Sequence, residues 1–136
     1  MSLNSMISSW EPNAAIDRPS LERALGAVAN RLPDDYLRFI ETSNGGAGFI
    51  GPNFINLWRV EEIASSNEDY ESSRYAPGLL LFASNGAGEG FGFDLRQTDV
   101  KVVMVPFVGL GWADAIVLGD DLTGLFSRLA EDTLYE

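Results

Sequence analysis

The chain has 136 residues, 46% of them hydrophobic, which suits one domain with a packed core. Twenty acidic residues stand against nine basic ones, a net charge of −11, so nucleic acid and anionic membranes are poor ligands. There is no His and no Cys, which excludes histidine general bases, thiol nucleophiles, disulfides and His- or thiolate-ligated metals or haem.

In chain order, residues 1–19 read as a lead-in and residues 20–136 as a single domain. Met1 to Ser9 are expected to be flexible, and Trp10 is large enough to anchor the segment by burying its ring. No basic stretch precedes an apolar one, so no secretory signal is visible; with the lack of Cys this fits a cytoplasmic location. No apolar run approaches the roughly 20 residues of a membrane-crossing helix. Ser20 is placed to cap a helix running to about Asn30, with Pro19 in an extended approach and Leu21, Leu25, Val28, Ala29 and Leu32 on one face. Pro33 and Asp34 open a second helix to about Thr42, since a first turn has unpaired amides and favours negative charge. Tyr36, Phe39 and Ile40 form its apolar face, and Ser43-Asn44-Gly45-Gly46 ends it.

Ala47–Gly51 and Asn53–Trp58 read as short strands around Gly51-Pro52-Asn53. Val60 to about Asn67 reads as a helix, with Val60, Ile63 and Ala64 inward and Glu61 and Glu62 outward. Asn67 to Pro77 is polar and without a clear period. Leu79–Ala83 and Gly90–Leu95 are strands on either side of a glycine-dense turn; Phe91, Phe93 and Leu95 alternate with Gly92 and Asp94, a period of two. Val100–Val105 is the strongest strand by its β-branched content, and Pro106 argues against its continuation. Trp112–Leu118 is compatible with another strand. Asp120 or Asp121 caps a last helix from Leu122 to about Ala130. The expected fold is α+β: a mostly antiparallel sheet with N-terminal helices and a closing C-terminal helix packed against one side.

The glycine segment is not a nucleotide loop, because it lacks the Gly-Lys-Ser/Thr ending and continues as a strand. Glu89 and Asp94 are the pair a carboxylate hydrolase would need, and Asn85, Glu89, Asp94 and Asp99 the oxygens a calcium site would need. The EF-hand pattern is absent, and acids at turns are usually solvated. Lys101, the single Lys, fits a solvent-facing or edge position. The sequence thus points to no catalytic residue, cofactor or metal. Asn44 and Asn85 each precede Gly, where the side chain bonds nearby backbone and organises the turn. Trp58 fits the core beside Ile55 and Leu57. Trp112, among Gly109, Gly111 and Asp114, is the better exposed anchor.

The acid is uneven. Arg59–Tyr75 holds Glu61, Glu62, Glu68, Asp69 and Glu71 against Arg59 and Arg74, and residues 114–136 hold six acids against Arg128. These segments are the expected footprint of a basic protein partner: Glu61, Glu62, Glu68, Asp69 and Glu71, with Trp112, Asp114, Asp120 and Asp121. Solubility alone is the other explanation of the charge.

A family resemblance rests on three stretches. They are Leu32-Pro33-Asp34-Asp35-Tyr36-Leu37-Arg38-Phe39-Ile40 with Ser43-Asn44-Gly45-Gly46; Ile55-Asn56-Leu57-Trp58 with Val60-Glu61-Glu62-Ile63; and Leu80 through Asp94. In order and spacing these resemble the SMI1/KNR4 family, also called the SUKH superfamily, over roughly residues 20–130. The resemblance implies an α+β fold and a non-enzymatic protein-binding role. Bacterial members are often immunity proteins that neutralise toxins, many of them nucleases; fungal members act in cell-wall regulation and signalling, so an intracellular scaffold or adaptor is the alternative. The family's recurring residues correspond here to Pro33, Tyr36, Phe39, Asn44, Gly45, Gly46, Asn85, Gly86, Gly88 and Asp94, and these are expected to be architectural. Phe91 and Phe93 stand where Tyr or another aromatic is often seen.

Overall fold

The computed structural model describes residues 10–131; Met1 to Ser9, expected to be flexible, lie outside the described residues. Among the described residues seven strands form one antiparallel sheet whose spatial order is the chain order. They are β1 (Glu11–Pro12), β2 (Gly46–Ile50), β3 (Asn53–Leu57), β4 (Leu79–Ser84), β5 (Glu89–Asp94), β6 (Lys101–Pro106) and β7 (Ile116–Gly119). The helices are α1 (Arg18–Leu25), α2 (Asp34–Thr42), α3 (Val60–Tyr70), α4 (Ser72–Tyr75) and α5 (Leu122–Glu131). The α+β class and its closing helix are as expected. None of the described helices is long and apolar enough to cross a membrane.

The glycine-rich strand explains how the layers assemble. Phe91 and Phe93 project to one face of β5, opposite Met104 and Val102 on β6, and enter the large core with Leu21, Tyr36, Phe39, Leu122 and Phe126 of α1, α2 and α5. Gly90 and Gly92 fall on the other pleat. A Cβ on Gly92 would stand 2.5 Å from a methyl of Leu79, and one on Gly90 2.5 Å from the ring of Phe107. Glycine therefore lets a second layer lie directly on the strand backbone. That layer is a smaller cluster of Leu79, Leu81, Val103, Val105, Ala76 and Leu110, edged by Trp58, Phe107 and Trp112. The face opposite the main helices is thus apolar as well, built from side chains of β4 and β6 with Ala76 and Leu110 from the connecting segments.

Tyr36 sits at the centre of the large core, with ring centroids 5.4 Å from Phe82 and 5.0 Å from Phe93. Burial pushes its phenol well above the usual range, and its hydroxyl has no hydrogen-bond partner among the described residues. Trp10 is buried as expected, against Phe39 and Phe126.

Several boundaries differ from the sequence reading, each for a local reason. Asp17 caps α1, accepting from the amide of Ser20 at 2.8 Å, and Pro19 lies inside the first turn, where its missing amide hydrogen costs nothing. Gly26 at φ 69° ends the α-helix at Leu25, and the chain continues to Arg31 as a 3₁₀ helix rather than reaching Asn30 as α-helix. Pro33 is the residue before α2, which starts at Asp34. The lead-in contributes β1, which pairs Glu11 with Ala47 and Pro12 with Gly46. Trp112–Asp114 is a 3₁₀ turn, so only Ile116–Gly119 forms the last strand. Asp121 caps α5 through the amide of Gly124 at 2.8 Å. A second cap arrives from α2: Asp35 accepts from the amides of Leu122 and Thr123 at 3.1 and 2.7 Å.

Candidate functional site

The site is built around α3, which lies where the sheet opens. β3 and β4 pair only at Asn56–Ser84 and Leu57–Ala83, and β3 then leaves for α3. The backbone of β4 that β3 abandons is taken up by one side chain. The Asn67 amide donates to the carbonyl of Leu81 at 2.9 Å and its oxygen accepts from the Leu81 amide at 2.8 Å, as a neighbouring strand would. The same side chain donates to the carbonyl of Ile63 and accepts from the hydroxyl of Ser72, tying α3 to α4. This polar role carries the helix past Asn67 to Tyr70, beyond its apolar period. Glu71 then turns the chain in the left-handed conformation, φ 54°.

The other end of α3 is held by Asn44. Its side-chain oxygen accepts from the amide of Val60 at 3.0 Å and its amide donates to Glu61 at 2.6 Å. The Asn44 side chain therefore serves a helix sixteen residues away, not the local turn expected of it. That bond is the main cause holding the Glu61 carboxyl below its ordinary value. Glu62 accepts from the amide of Arg59 at 3.3 Å, closing the first turn. Asn85 does organise its own turn, accepting from the amides of Ala87 and Glu89 at 2.8 and 3.0 Å.

Between α3 and the ends of β3 and β4 runs a cleft of about 560 Å³. Glu62, Ser66 and Asp69 of α3 form one wall, Asn56 and Ser84 lie on the strands, and Trp58 and Tyr70 supply aromatic surface. The rings of Trp58 and Tyr70 are stacked 8° from parallel, and Phe107 stacks on Tyr70 with centroids 4.1 Å apart. No Lys or Arg is in the lining. Two carboxylates beside aromatic faces, with no internal cation, suit an incoming guanidinium or ammonium group.

The remaining acidic residues are dispersed. Glu68 is exposed on α3, and Glu71 pairs with Arg74 at 3.4 Å. Asp120 pairs with Lys101 at 2.7 Å and raises the Lys101 pKa, while Asp121 serves as the α5 cap. Trp112 is half-buried: its indole donates to the carbonyl of Pro77 at 2.9 Å, and the Arg96 guanidinium lies 3.5 Å above the ring. Arg96 in turn donates to Asp94, which holds that carboxyl below its ordinary value. Trp58, which the sequence reading puts in the core, is half-buried: it packs on the edge of the smaller cluster and also lines the cleft, and Tyr70 and Asn67 were not singled out. Glu89 and Asp94 project from opposite pleats at opposite ends of β5. Among the described residues no three Asp or Glu side chains gather to hold a metal ion.

The stretch that contains α2, the Ser43–Gly46 exit, α3 and the β4–β5 hairpin falls within the match of a family model. The SMI1 / KNR4 family (SUKH-1) model matches residues 19–128. The chain belongs to this family. Comparison with curated proteins gives no significant match. In this SMI1/KNR4 chain, Tyr36, Phe39, Asn44, Gly46 and Asn85, expected from the resemblance to be architectural, are all buried. Asp94 is mostly covered and joined to Arg96.

Proposed function

We propose that this SMI1/KNR4 chain is a non-enzymatic protein-binding domain whose α3 cleft receives basic side chains of a protein partner, and that the partner is a cognate toxin it neutralises. The observation that carries the reading is the cleft itself, where Glu62 and Asp69 stand beside the Trp58–Tyr70 stack without a cation of their own. Family membership supports a binding rather than a catalytic role, and the net charge of −11 supports a basic partner. A nuclease toxin is the partner class that fits best, because a surface built to hold phosphates offers Arg and Lys to carboxylates placed where phosphates would lie.

The test uses the product of a toxin-domain gene that adjoins this one. Asp69→Lys alone, and Asp69→Lys with Glu62→Lys, should slow association at low salt by about tenfold or more, with the difference shrinking as salt rises. Circular dichroism checks that the variants stay folded, since Glu62 also closes the first turn of α3. Association rates equal to the unmodified protein at low salt would overturn the role of the cleft.

A further inference from the structure

The two edges of the sheet are built differently. β1 is two residues long and consists of Glu11 and Pro12. Charge, proline and brevity are standard ways to keep an edge from pairing with another chain. β7 carries neither charge nor proline, although it is four residues long and its register with β6 shifts at Leu118. It is Ile116-Val117-Leu118-Gly119, and among the described residues β6 is its only strand neighbour. Ile116 is 50% exposed and Val117 60%, and on the nearby loop Val108 is 91% exposed. Three of the protein's most exposed large apolar side chains therefore gather at one open edge.

Beside this edge lies a groove of about 330 Å³, with Met104 and Pro106 of β6 at its floor, Val108 and Ile116 at its sides, and Glu89 and Asp114 on its rim. From Phe107 to Ser127 the chain has three aspartates and no Lys or Arg. Of these aspartates, Asp114 has no ion-pair partner among the described residues, whereas Asp120 is paired with Lys101.

We propose that β7 is a strand-addition site, and that its occupant is an extended segment of a partner protein with apolar side chains flanked by Lys or Arg. Backbone pairing along β7 would supply affinity, the exposed Ile116 and Val117 would pack against alternate side chains, and Glu89 and Asp114 would meet the basic flanks. A second copy of this chain is the less suitable occupant, because pairing two β7 edges would bring two bodies of charge −11 together. The inference stands apart from the α3 cleft, since it rests on different residues.

The probes are three short synthetic peptides: alternating valine and lysine, the same peptide N-methylated at alternate residues, and alternating valine and glutamate. The full chain is followed by nuclear magnetic resonance. The Val/Lys peptide should shift the resonances of Ile116 to Gly119. Binding should weaken at least about tenfold on N-methylation, which removes backbone donors, and on Ile116→Lys with Val117→Lys. The Val/Glu peptide should bind more weakly by a similar factor. Absence of binding, shifts located elsewhere, or binding indifferent to N-methylation would overturn the proposal. Equal binding of the Val/Glu peptide would overturn the choice of a basic occupant. Self-association of the free chain that Val117→Lys abolishes would assign the edge to a second copy instead.

Discussion

Replacing Asn44 with Ala tests how the exit from α2 is coupled to the acidic helix. Asn44 is buried, and its side chain makes two bonds to α3, accepting from the Val60 amide at 3.0 Å and donating to Glu61 at 2.6 Å. Loss of the first resembles loss of a helix cap, about 1 kcal/mol. The second is a bond to a carboxylate, but Glu61 is exposed and screened, so it adds about another 1 kcal/mol at most. The expected total is about 2 kcal/mol. Unfolding entropy of about 2.1 cal/mol/K per residue over 136 residues is about 290 cal/mol/K, so Tm should fall by about 7 °C. Thermal unfolding by circular dichroism measures this, with Asn44→Asp and Glu61→Gln as companions. Asn44→Asp keeps an acceptor for Val60 but sets a second carboxylate against Glu61, so Glu61→Gln should recover part of its loss. A fall below about 2 °C for Asn44→Ala, or no recovery in the double variant, would refute the assignment of these bonds.

Two further outcomes follow from the core and its margin. Tyr36→Phe removes a buried hydroxyl without a partner and should stabilise the protein by about 1 kcal/mol in urea unfolding; destabilisation of that size would mean the hydroxyl is satisfied after all. Asp94 has a folded-state pKa held below its ordinary value by Arg96, so its contribution is present above the unfolded value, near pH 4, and is lost as pH falls through the folded value. Asp94→Asn should therefore cost about 1 kcal/mol near pH 7 and less as pH drops below about 4; a gap that stays constant down to about pH 3 would contradict the ion pair.

What the sequence made legible is what local periodicity controls. The apolar faces of α2 and α5, the Phe-Gly-Phe alternation of β5 and the turns after Thr42 and Ser84 follow from side-chain spacing and glycine placement. What it hid depends on partners distant in the chain. Asn67 reads as a polar residue at a helix end, because its strand-like pairing with Leu81 exists only once β3 has left the sheet. Asp35 reads as a first-turn acid of α2, yet it also caps α5. Ser20 reads as the cap of α1, yet Asp17 three residues earlier holds that place, with Pro19 inside the first turn. The acidic content of α3 was visible, but its usable part was not: Glu61 is engaged by Asn44, whereas Glu62 and Asp69 share a cleft with two stacked aromatic rings, Trp58 and Tyr70, that come from the two ends of α3. In the C-terminal segment the visible acids separate into an ion pair, a helix cap and the rim of the β7 groove.

The most direct measurement of the central claim is survival of cells that express a toxin domain from a gene adjoining this one, with and without this chain, and with its Asp69→Lys/Glu62→Lys form. The account predicts full protection by the unmodified chain, a stable complex on co-purification, and clear loss of protection with the reversed cleft. Survival no better than with toxin alone, and no complex, would contradict it.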